Sequence, residues 1–324
     1  MLRTTNPAIS VVMSVHNGER YLRKAIESIL TQSFADFEFI IIDDGSSDGS
    51  PAILREYAAK NERIRPILHE NRGLTKALNE GLVLARGEFV ARMDADDISL
   101  PQRFERQAFY LKQHPDCVLL GSEVLLVDPE GWPICRRGHL LSHQQIDEQL
   151  LRGDGGGLTH PAVMIRTRTL REIGGYNEAM TTAQDLDLFL HLAEVGQIAN
   201  LPDVLLKWRQ HPASVNHTRY LTWREMKRIA LSAAAQRRRI RLDLERILSV
   251  NPTAPKEVDH HAEYMEWAAA HPRYFPTALK HLTLSLAATG PQRAQLQCLI
   301  SMAKRIVRIF LPRSSRRTAA PRLA

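Results

Sequence analysis

Two aspartates separated by one residue, Asp94-Ala-Asp96, and a vicinal pair, Asp43-Asp44, are the residues of this chain best suited by type and spacing to do chemistry. Alternate side chains of an extended strand share a face, so Asp94 and Asp96 can point the same way. Two carboxylates so placed can hold a hard divalent cation and share it with a diphosphate. An acidic turn capping a helix that begins near Pro101 fits the same residues. Asp43-Asp44 closes the apolar run Phe39-Ile-Ile-Ile42. It reads either as a turn with a helix cap or as a carboxylate at a sheet edge that accepts hydrogen bonds from a base or ribose hydroxyl. No G-x-G-x-x-G follows the first strand-like run and no G-x-x-x-x-G-K-[ST] occurs. That argues against a dinucleotide dehydrogenase and removes the P-loop class.

These side chains need elements to carry them. Ile9 to Val15 is short and β-branched and reads as a buried strand; Tyr21 to Leu30 has helical spacing through Leu22, Ile26, Ile29 and Leu30. Phe37 to Ile42 is a second strand, and a helix starts at Ser50-Pro51. Ile64 to Leu68 reads as strand, Thr75 to Ala85 as helix and Glu88 to Met93 as strand. Such alternation means βαβ units and a largely parallel sheet, with ligands bound beyond the carboxyl ends of its strands. Val15-His16-Asn17, Asp43-Asp44 and Asp94-Ala-Asp96-Asp97 fall at those ends. Further on, the pattern predicts a helix over Pro101 to Gln113 and a strand over Cys117 to Val127. Gly153 to Gly157 reads as a flexible loop, Ala162 to Ile165 as strand and Thr169 to Ile173 as helix. Asp185 to Val195 reads as helix and Val204 to Trp208 as a last strand, with only helical periodicity from Tyr220 on.

With 324 residues, 44% of them hydrophobic, the chain can bury a sizeable core and is neither disordered nor a small disulfide scaffold. Cys117, Cys135 and Cys298 are odd in number and far apart, which fits a reducing compartment and no zinc ribbon. The apolar run at Ile9 to Val15 is too short for a signal peptide, and no uncharged stretch reaches the roughly 18 residues that span a bilayer. The expected location is therefore cytoplasmic, or peripheral at the inner face of the plasma membrane. The net charge of +7 is uneven: residues 1–215 carry −6 and residues 216–324 carry +13, with no acid after Glu266. An acidic globular part followed by a basic segment that meets something anionic is the natural reading, and a basic DNA-binding domain is not.

Seven motifs then occur in one order: Ile9-Ser-Val-Val-Met-Ser-Val-His-Asn-Gly-Glu19, Phe39-Ile-Ile-Ile-Asp-Asp-Gly-Ser-Ser-Asp-Gly49, Asn71-Arg-Gly-Leu74, Ala91-Arg-Met-Asp-Ala-Asp-Asp-Ile-Ser-Leu-Pro101, Gly174-Gly-Tyr-Asn-Glu178, Gln184-Asp-Leu-Asp-Leu188 and Arg209-Gln-His-Pro212. This set resembles family 2 glycosyltransferases over roughly residues 6–217. The resemblance implies a GT-A fold, a Rossmann-like, mostly parallel sheet with helices on both faces, and the helical periodicity beyond Tyr220 adds a helical C-terminal extension. The extent of the resemblance, the charge asymmetry and the periodicity together divide the chain into a transferase domain, 1–217, and a helical basic region, 218–324. The resemblance also implies a nucleotide-sugar donor, UDP-linked, a glycan or lipid-linked saccharide acceptor, and inversion at the anomeric carbon in cell-surface polysaccharide synthesis. By the same resemblance Val15, His16 and Asn17 line the base pocket and Asp44 holds the nucleoside. Arg72 and Lys76 lie where family members contact the nucleotide, and Asp94 lies on the ribose or sugar side. Asp96 ligates Mn2+ or Mg2+, and His211 completes the metal or phosphate site. Asp185 takes the acceptor proton, or caps the helix that follows it. Thr159-His160-Pro161 faces the acceptor or forms a strand-entry turn.

Two departures from the family pattern stand out. Gln184 replaces the usual Glu, and Ser14 and His16 replace Pro and Tyr. A helical wheel from Leu296 puts Leu299, Ile300, Ala303, Ile306, Val307 and Phe310 on one face and Lys304, Arg305 and Arg308 on the other, with Arg313, Arg316 and Arg317 beyond. A basic amphipathic helix of this kind reads as an element for an anionic membrane surface, or as a helix packed on the core; nucleic acid is not expected to be a partner. Two competing functions remain on sequence grounds. A sugar-nucleotide nucleotidyltransferase would open with a glycine-rich loop followed by Arg, absent between Met13 and Arg20, and a non-catalytic nucleotide-sugar binder would suit Gln184.

Overall fold

A computed structural model describes residues 6–138, 140–211, 220–249, 260–289, 295, 297–300 and 302–303. The chain forms two compact units, one of Met1–Gly131 with Arg136–Lys256 and one of Trp132–Cys135 with Glu257–Ala324.

The first unit opens with the alternation that the sequence predicts: β1 (Ile9–Val15), α1 (Glu19–Leu30), β2 (Phe37–Asp44), α2 (Ser50–Lys60), β3 (Ile64–His69), α3 (Leu74–Leu84) and β4 (Phe89–Asp94). Every residue of β2 is buried, which is why its apolar run carries no alternation. The short β5 (Ile98–Ser99), α4 (Arg103–Gln113), β6 (Cys117–Val127), β7 (Pro133–Arg137), whose first three residues belong to the second unit, and α5 (His143–Leu151) follow. Then come β8 (Met164–Arg166), α6 (Thr167–Glu172), α7 (Gln184–Val195), β9 (Gln197–Arg209), α8 (Tyr220–Arg238) and α9 (Leu244–Ser249). The strand order is β3-β2-β1-β4-β8-β6-β9-β5. β1 to β4 pair in parallel, as do β6 and β9, while β8 and β5 run antiparallel to their neighbours. The register sets Val15 beside Asp43, Ser14 beside Asp94 and Asp44 beside His69, so the carboxyl ends of β1, β2 and β4 make one edge.

Three elements depart from the sequence reading. β9 spans thirteen residues rather than Val204 to Trp208, because Pro202 and Asp203 bulge out between Leu201 and Val204 while Ser122 and Glu123 of β6 stay adjacent. α5 escaped notice because only Ile146 and Leu150 of its nine residues are buried. The glycine segment Gly155–Gly157 is a short 3-10 turn, not a featureless loop.

At the opposite edge of the sheet, buried Glu38 accepts hydrogen bonds from Ser10 Oγ at 2.8 Å, Arg86 Nη2 at 2.8 Å and Arg65 Nη1 at 2.8 Å. Burial alone would raise this carboxyl, but the bonds from Arg86, Ser10 and Arg65 outweigh it and hold its pKa below the ordinary value. A lowered native pKa stabilises the fold above the unfolded-state pKa and the contribution is lost as pH falls through the native one. Both arginines are partly exposed, so screening limits the gain, and Glu38→Gln should cost about 1–3 kcal/mol at neutral pH. Denaturant midpoints measured from pH 7 down to pH 3 should show that penalty shrinking as wild type protonates; a pH-independent penalty would refute the ion-pair account.

Beyond residue 217, α8 packs in the first unit: Arg238 Nη1 donates to Asp147 Oδ2 at 2.8 Å, and Arg237 Nε donates to Glu194 Oε2 at 2.6 Å. The second unit contains α10 (His260–Ala269) and α11 (Phe275–Thr289). Of the helix expected from Leu296 onward, Leu299, Ile300 and Ala303 are described; Lys304, Arg305, Ile306, Val307, Arg308, Phe310, Arg313, Arg316 and Arg317 lie outside the described residues. No helix among the described residues is long and apolar enough to cross a membrane.

Candidate active site

β4 ends at Asp94, and the chain turns through Ala95 to Asp96 and Asp97 before β5. Carboxylate oxygens of Asp94, Asp96 and Asp97 all lie within 4.8 Å of one another. Burial raises the pKa of Asp97 well above the ordinary range, and the charges of Asp96 and Asp94 push it further. Asp94 is raised for the same reasons, against the pull of buried Arg92, whose guanidinium pairs with it. Asp97 Oδ1 accepts the Arg209 backbone N–H at 2.8 Å, while its buried Oδ2 has no hydrogen-bond partner. Three crowded carboxylates with one buried oxygen unsatisfied form a donor set that suits a hard divalent cation.

The antiparallel pairing of β5 with the end of β9 delivers the histidine. Ile98 sits beside Lys207, so β9 leaves the sheet next to the acidic turn. There the Arg209 side chain donates from Nε to Asp96 O at 2.8 Å and from Nη1 to Pro129 O at 2.9 Å. Two residues on, His211 Nε2 lies 2.9 Å from Asp96 Oδ2, and its ring lies 5.4 Å from that of Tyr21. The structure thus brings together two residues 115 positions apart that the sequence placed at one metal site.

Beside this turn lies the β1–β2 edge. Val15 is buried and His16 and Asn17 are exposed. Asn17 has φ 53°; its backbone N–H donates to Ser46 Oγ at 2.9 Å and its Oδ1 accepts from Ser47 N at 2.8 Å. His16 Nδ1 is 2.9 Å from the Asp44 carbonyl oxygen. Buried Asp44 accepts from Arg72 N at 2.7 Å and Gly73 N at 2.9 Å, one bond to each carboxylate oxygen. Asp44 therefore fixes the loop 71–73, and each oxygen keeps a lone pair for a further donor. Gly45, at φ 78°, must be glycine: a Cβ there would stand 2.5 Å from Asn71 N. Arg72 pairs with Glu80, and Lys76 is exposed on α3.

The third wall is the mouth of α7. Ala183, in the left-handed region at φ 53°, occupies the position before the helix, so Asp185 lies in its first turn and does not cap it. Asp185 Oδ1 accepts the N–H of Leu186 at 2.9 Å. Burial raises the Asp185 pKa, against that bond and the charge of Arg92, and the charge of Asp94 adds to the rise. A raised carboxylate is a better proton acceptor than an ordinary one. Thr159-His160-Pro161 makes the turn into β8, with His160 buried and Nε2 2.8 Å from Tyr176 Oη. Burial and Arg92 keep this imidazole neutral, well below its ordinary pKa.

Sequence reasoning singled out neither Asp97 nor Arg92. Asp97 was legible as the third acid of Asp94-Ala-Asp-Asp97, but its burial and its bond to Arg209 were not. Arg92 lies in β4 and is 3% exposed, and its charge reaches Asp94, Asp97, Asp185 and His160. Beneath it a second buried arginine, Arg103, donates to Arg92 O at 2.8 Å, and burial brings its pKa down to about 9.

Residues 10–174 match the family model described as glycosyl transferase family 2. Among curated proteins, the chain is 35% identical over 211 residues to the putative glycosyltransferase EpsE of Bacillus subtilis, covering 64% of this chain and 74% of that one. It is 33% identical over 214 residues to the amylovoran biosynthesis glycosyltransferase AmsE of Erwinia amylovora, covering 65% and 79%. In fold it is similar to residues 1–349 of S. aureus TarS in complex with UDP-GlcNAc, with TM-score 0.60, 18% identity, and coverage of 92% of this chain and 91% of that one. The mannosyltransferase PcManGT of Pyrobaculum calidifontis, in complex with GDP-Man and Mn2+, superposes with TM-score 0.51 at 19% identity, covering 94% and 81%. The expected GT-A fold is borne out by these likenesses.

Proposed function

We propose, from the premise that this chain belongs to glycosyl transferase family 2, that it moves a sugar from a UDP-linked donor, with inversion, onto a glycan or lipid-linked saccharide during cell-surface polysaccharide synthesis. The chain is a glycosyltransferase. The observation that carries the finer reading is the convergence of Asp94, Asp96 and Asp97, with His211 on Asp96, at the sheet edge that also holds Val15 and Asp44. The name of AmsE supports the polysaccharide class, and the UDP-GlcNAc of the TarS complex supports the donor class.

In this reading Val15, His16, Asn17 and Asp44 receive the base and nucleoside, with Arg72 and Lys76 supplying positive charge near the nucleotide. Asp94 faces the ribose or sugar. Asp96 and His211 would hold Mn2+ or Mg2+, with Asp97 Oδ2 a further oxygen in reach, and such a cation neutralises charge that develops on the departing diphosphate. Asp185 accepts the proton of the acceptor hydroxyl as that oxygen bonds to the anomeric carbon and the bond from that carbon to the diphosphate oxygen breaks. All these residues lie within 1–217, the segment proposed as the transferase domain.

The test is a thermal-shift screen of UDP, GDP, CDP and their sugars with Mn2+, followed by nucleoside diphosphate release from whichever sugar binds. Binding to the native state raises its melting point. The reading expects a selective shift with UDP-sugars and Mn2+; a shift by none of them would overturn it. A non-catalytic binder is the second reading, favoured by Gln184. Gln184 is buried at the start of α7, and a Glu there would add negative charge beside Asp185 and raise its basicity. Gln184→Glu should therefore transfer sugar at least as fast as wild type. Release by neither protein, despite donor binding, would favour the binder.

A further inference from the structure

Arg209 is a buried cation beside the acidic turn, yet its guanidinium pairs with no carboxylate among the described residues. Its side-chain hydrogen bonds go to backbone carbonyls instead. Nε donates to Asp96 O at 2.8 Å, and Nη1 donates to Asp128 O at 3.2 Å and to Pro129 O at 2.9 Å. The bond to Asp97 Oδ1 comes from the Arg209 backbone N–H. Arg92 shows the alternative, because its guanidinium pairs with Asp94 directly. A guanidinium that bonds to carbonyls beside a cluster of acids leaves the acid oxygens open to another cation and directs its own donors to fixing the chain.

The segments it joins are the ones a cation site here would need. The turn 128–131 is closed by buried Asp128, whose Oδ1 accepts the N–H groups of Glu130 at 3.0 Å and Gly131 at 2.9 Å. The Tyr21 ring lies 4.6 Å from the Arg209 Cζ, and the same ring lies 5.4 Å from that of His211. Between Arg209 and His211, Gln210 N donates to Val127 O at 2.8 Å and ties down the end of β9. One planar group therefore touches the backbone of Asp96, the ring on which His211 packs and the turn 128–131. We propose that Arg209 is the positioning residue of the cation site, holding Asp96 and His211 together and tying the turn 128–131 to them. The inference rests on the reading that Asp96 and His211 hold the divalent cation. Arginine is required for its shape: donors in a fixed plane reach carbonyls of two segments, whereas a lysine ammonium is one point on a flexible stem. Groups that orient metal ligands without touching the metal change affinity by about 10- to 100-fold when replaced.

UDP is titrated calorimetrically into the full-length protein with and without Mn2+, for wild type, Arg209→Lys and Arg209→Gln, beside a melting curve of each. Both variants should lose about tenfold or more of the Mn2+-dependent affinity, while UDP affinity without Mn2+ stays at the wild-type value. In the unliganded variants, hydrogen exchange should quicken at the Glu130 and Gly131 amides, whose turn has lost its anchor. The Arg72 and Gly73 amides, held by Asp44, should keep wild-type protection. A merely structural arginine would lower the melting temperature without separating the two affinities. Full rescue by Arg209→Lys would show that charge suffices and overturn the inference. Unchanged Mn2+-dependent affinity, or unchanged exchange in the turn 128–131, would overturn it too. Should the Arg209 variants fail to fold, Tyr21→Leu decides: it removes the ring shared by Arg209 and His211 and should lower the Mn2+-dependent affinity in the same direction, and no change there overturns the inference. Wild type with no Mn2+-dependent affinity at all would instead sink the metal reading and this inference with it.

Discussion

Asp185→Asn should bind the donor close to wild type and transfer sugar more slowly by about 100-fold or more, the range expected when a positioned general base is removed. Ala183 in the left-handed region bends the chain just before α7, and this sets Asp185 in the first helical turn instead of at the cap. A carboxylate there feels the positive end of the helix dipole, which favours its charged form. Burial opposes that and prevails, so the pKa rises, while Arg92 restrains the rise. The outcome for activity has a definite sign. A base works only when deprotonated, so transfer should fall on the acid side at a higher pH than an ordinary carboxylate would give. Arg92→Met removes the restraint and should move that acid limb further up. A normal rate in Asp185→Asn would leave Asp185 as a structural residue of α7, and an acid limb unmoved by Arg92→Met would dissociate the arginine from the base.

The sequence disclosed the first half of this site far better than the second. Strands buried on both faces announce themselves as continuous apolar runs, so β1, β2 and β4 and the acids at their ends were legible without any comparison. Parallel pairing then aligned those ends, which needs only the right-handed crossover rule. The meeting of His211 with Asp96 was legible only through resemblance, because it depends on two residues of β5 pairing with β9 across a hundred intervening positions. Pro202 and Asp203 also hid the first half of β9, since a bulge breaks the period that identifies a strand. Arg92 was invisible for a different reason. Charge in a strand predicts exposure, and only the finished packing shows that Asp94, paired with the guanidinium, and the nearby charge of Asp97 make a buried cation tolerable.

Asp96→Asn should remove the Mn2+-dependent part of donor affinity, a loss of about 100-fold or more, while leaving the melting temperature of the unliganded protein unchanged or raised. The loss follows from the ligand chemistry: an amide oxygen carries no charge and binds a hard cation far more weakly than a carboxylate does. The stability expectation follows from the crowding at this turn. Asp94, Asp96 and Asp97 repel one another, which helps to hold the Asp94 and Asp97 pKa values above the ordinary range without a cation present. Deleting one charge relieves that repulsion, and the Asp96 backbone oxygen still accepts from Arg209 Nε. The two readouts must therefore move apart, affinity down and stability level or up, which a variant that simply misfolds cannot produce. His211→Ala should lower Mn2+-dependent affinity less, by about tenfold, since it removes a neutral donor beside the carboxylates. Isothermal titration of UDP with and without Mn2+ separates the outcomes. Unchanged Mn2+-dependent affinity in Asp96→Asn would show that the cation, if one binds, is held elsewhere, and would detach His211 from any metal role.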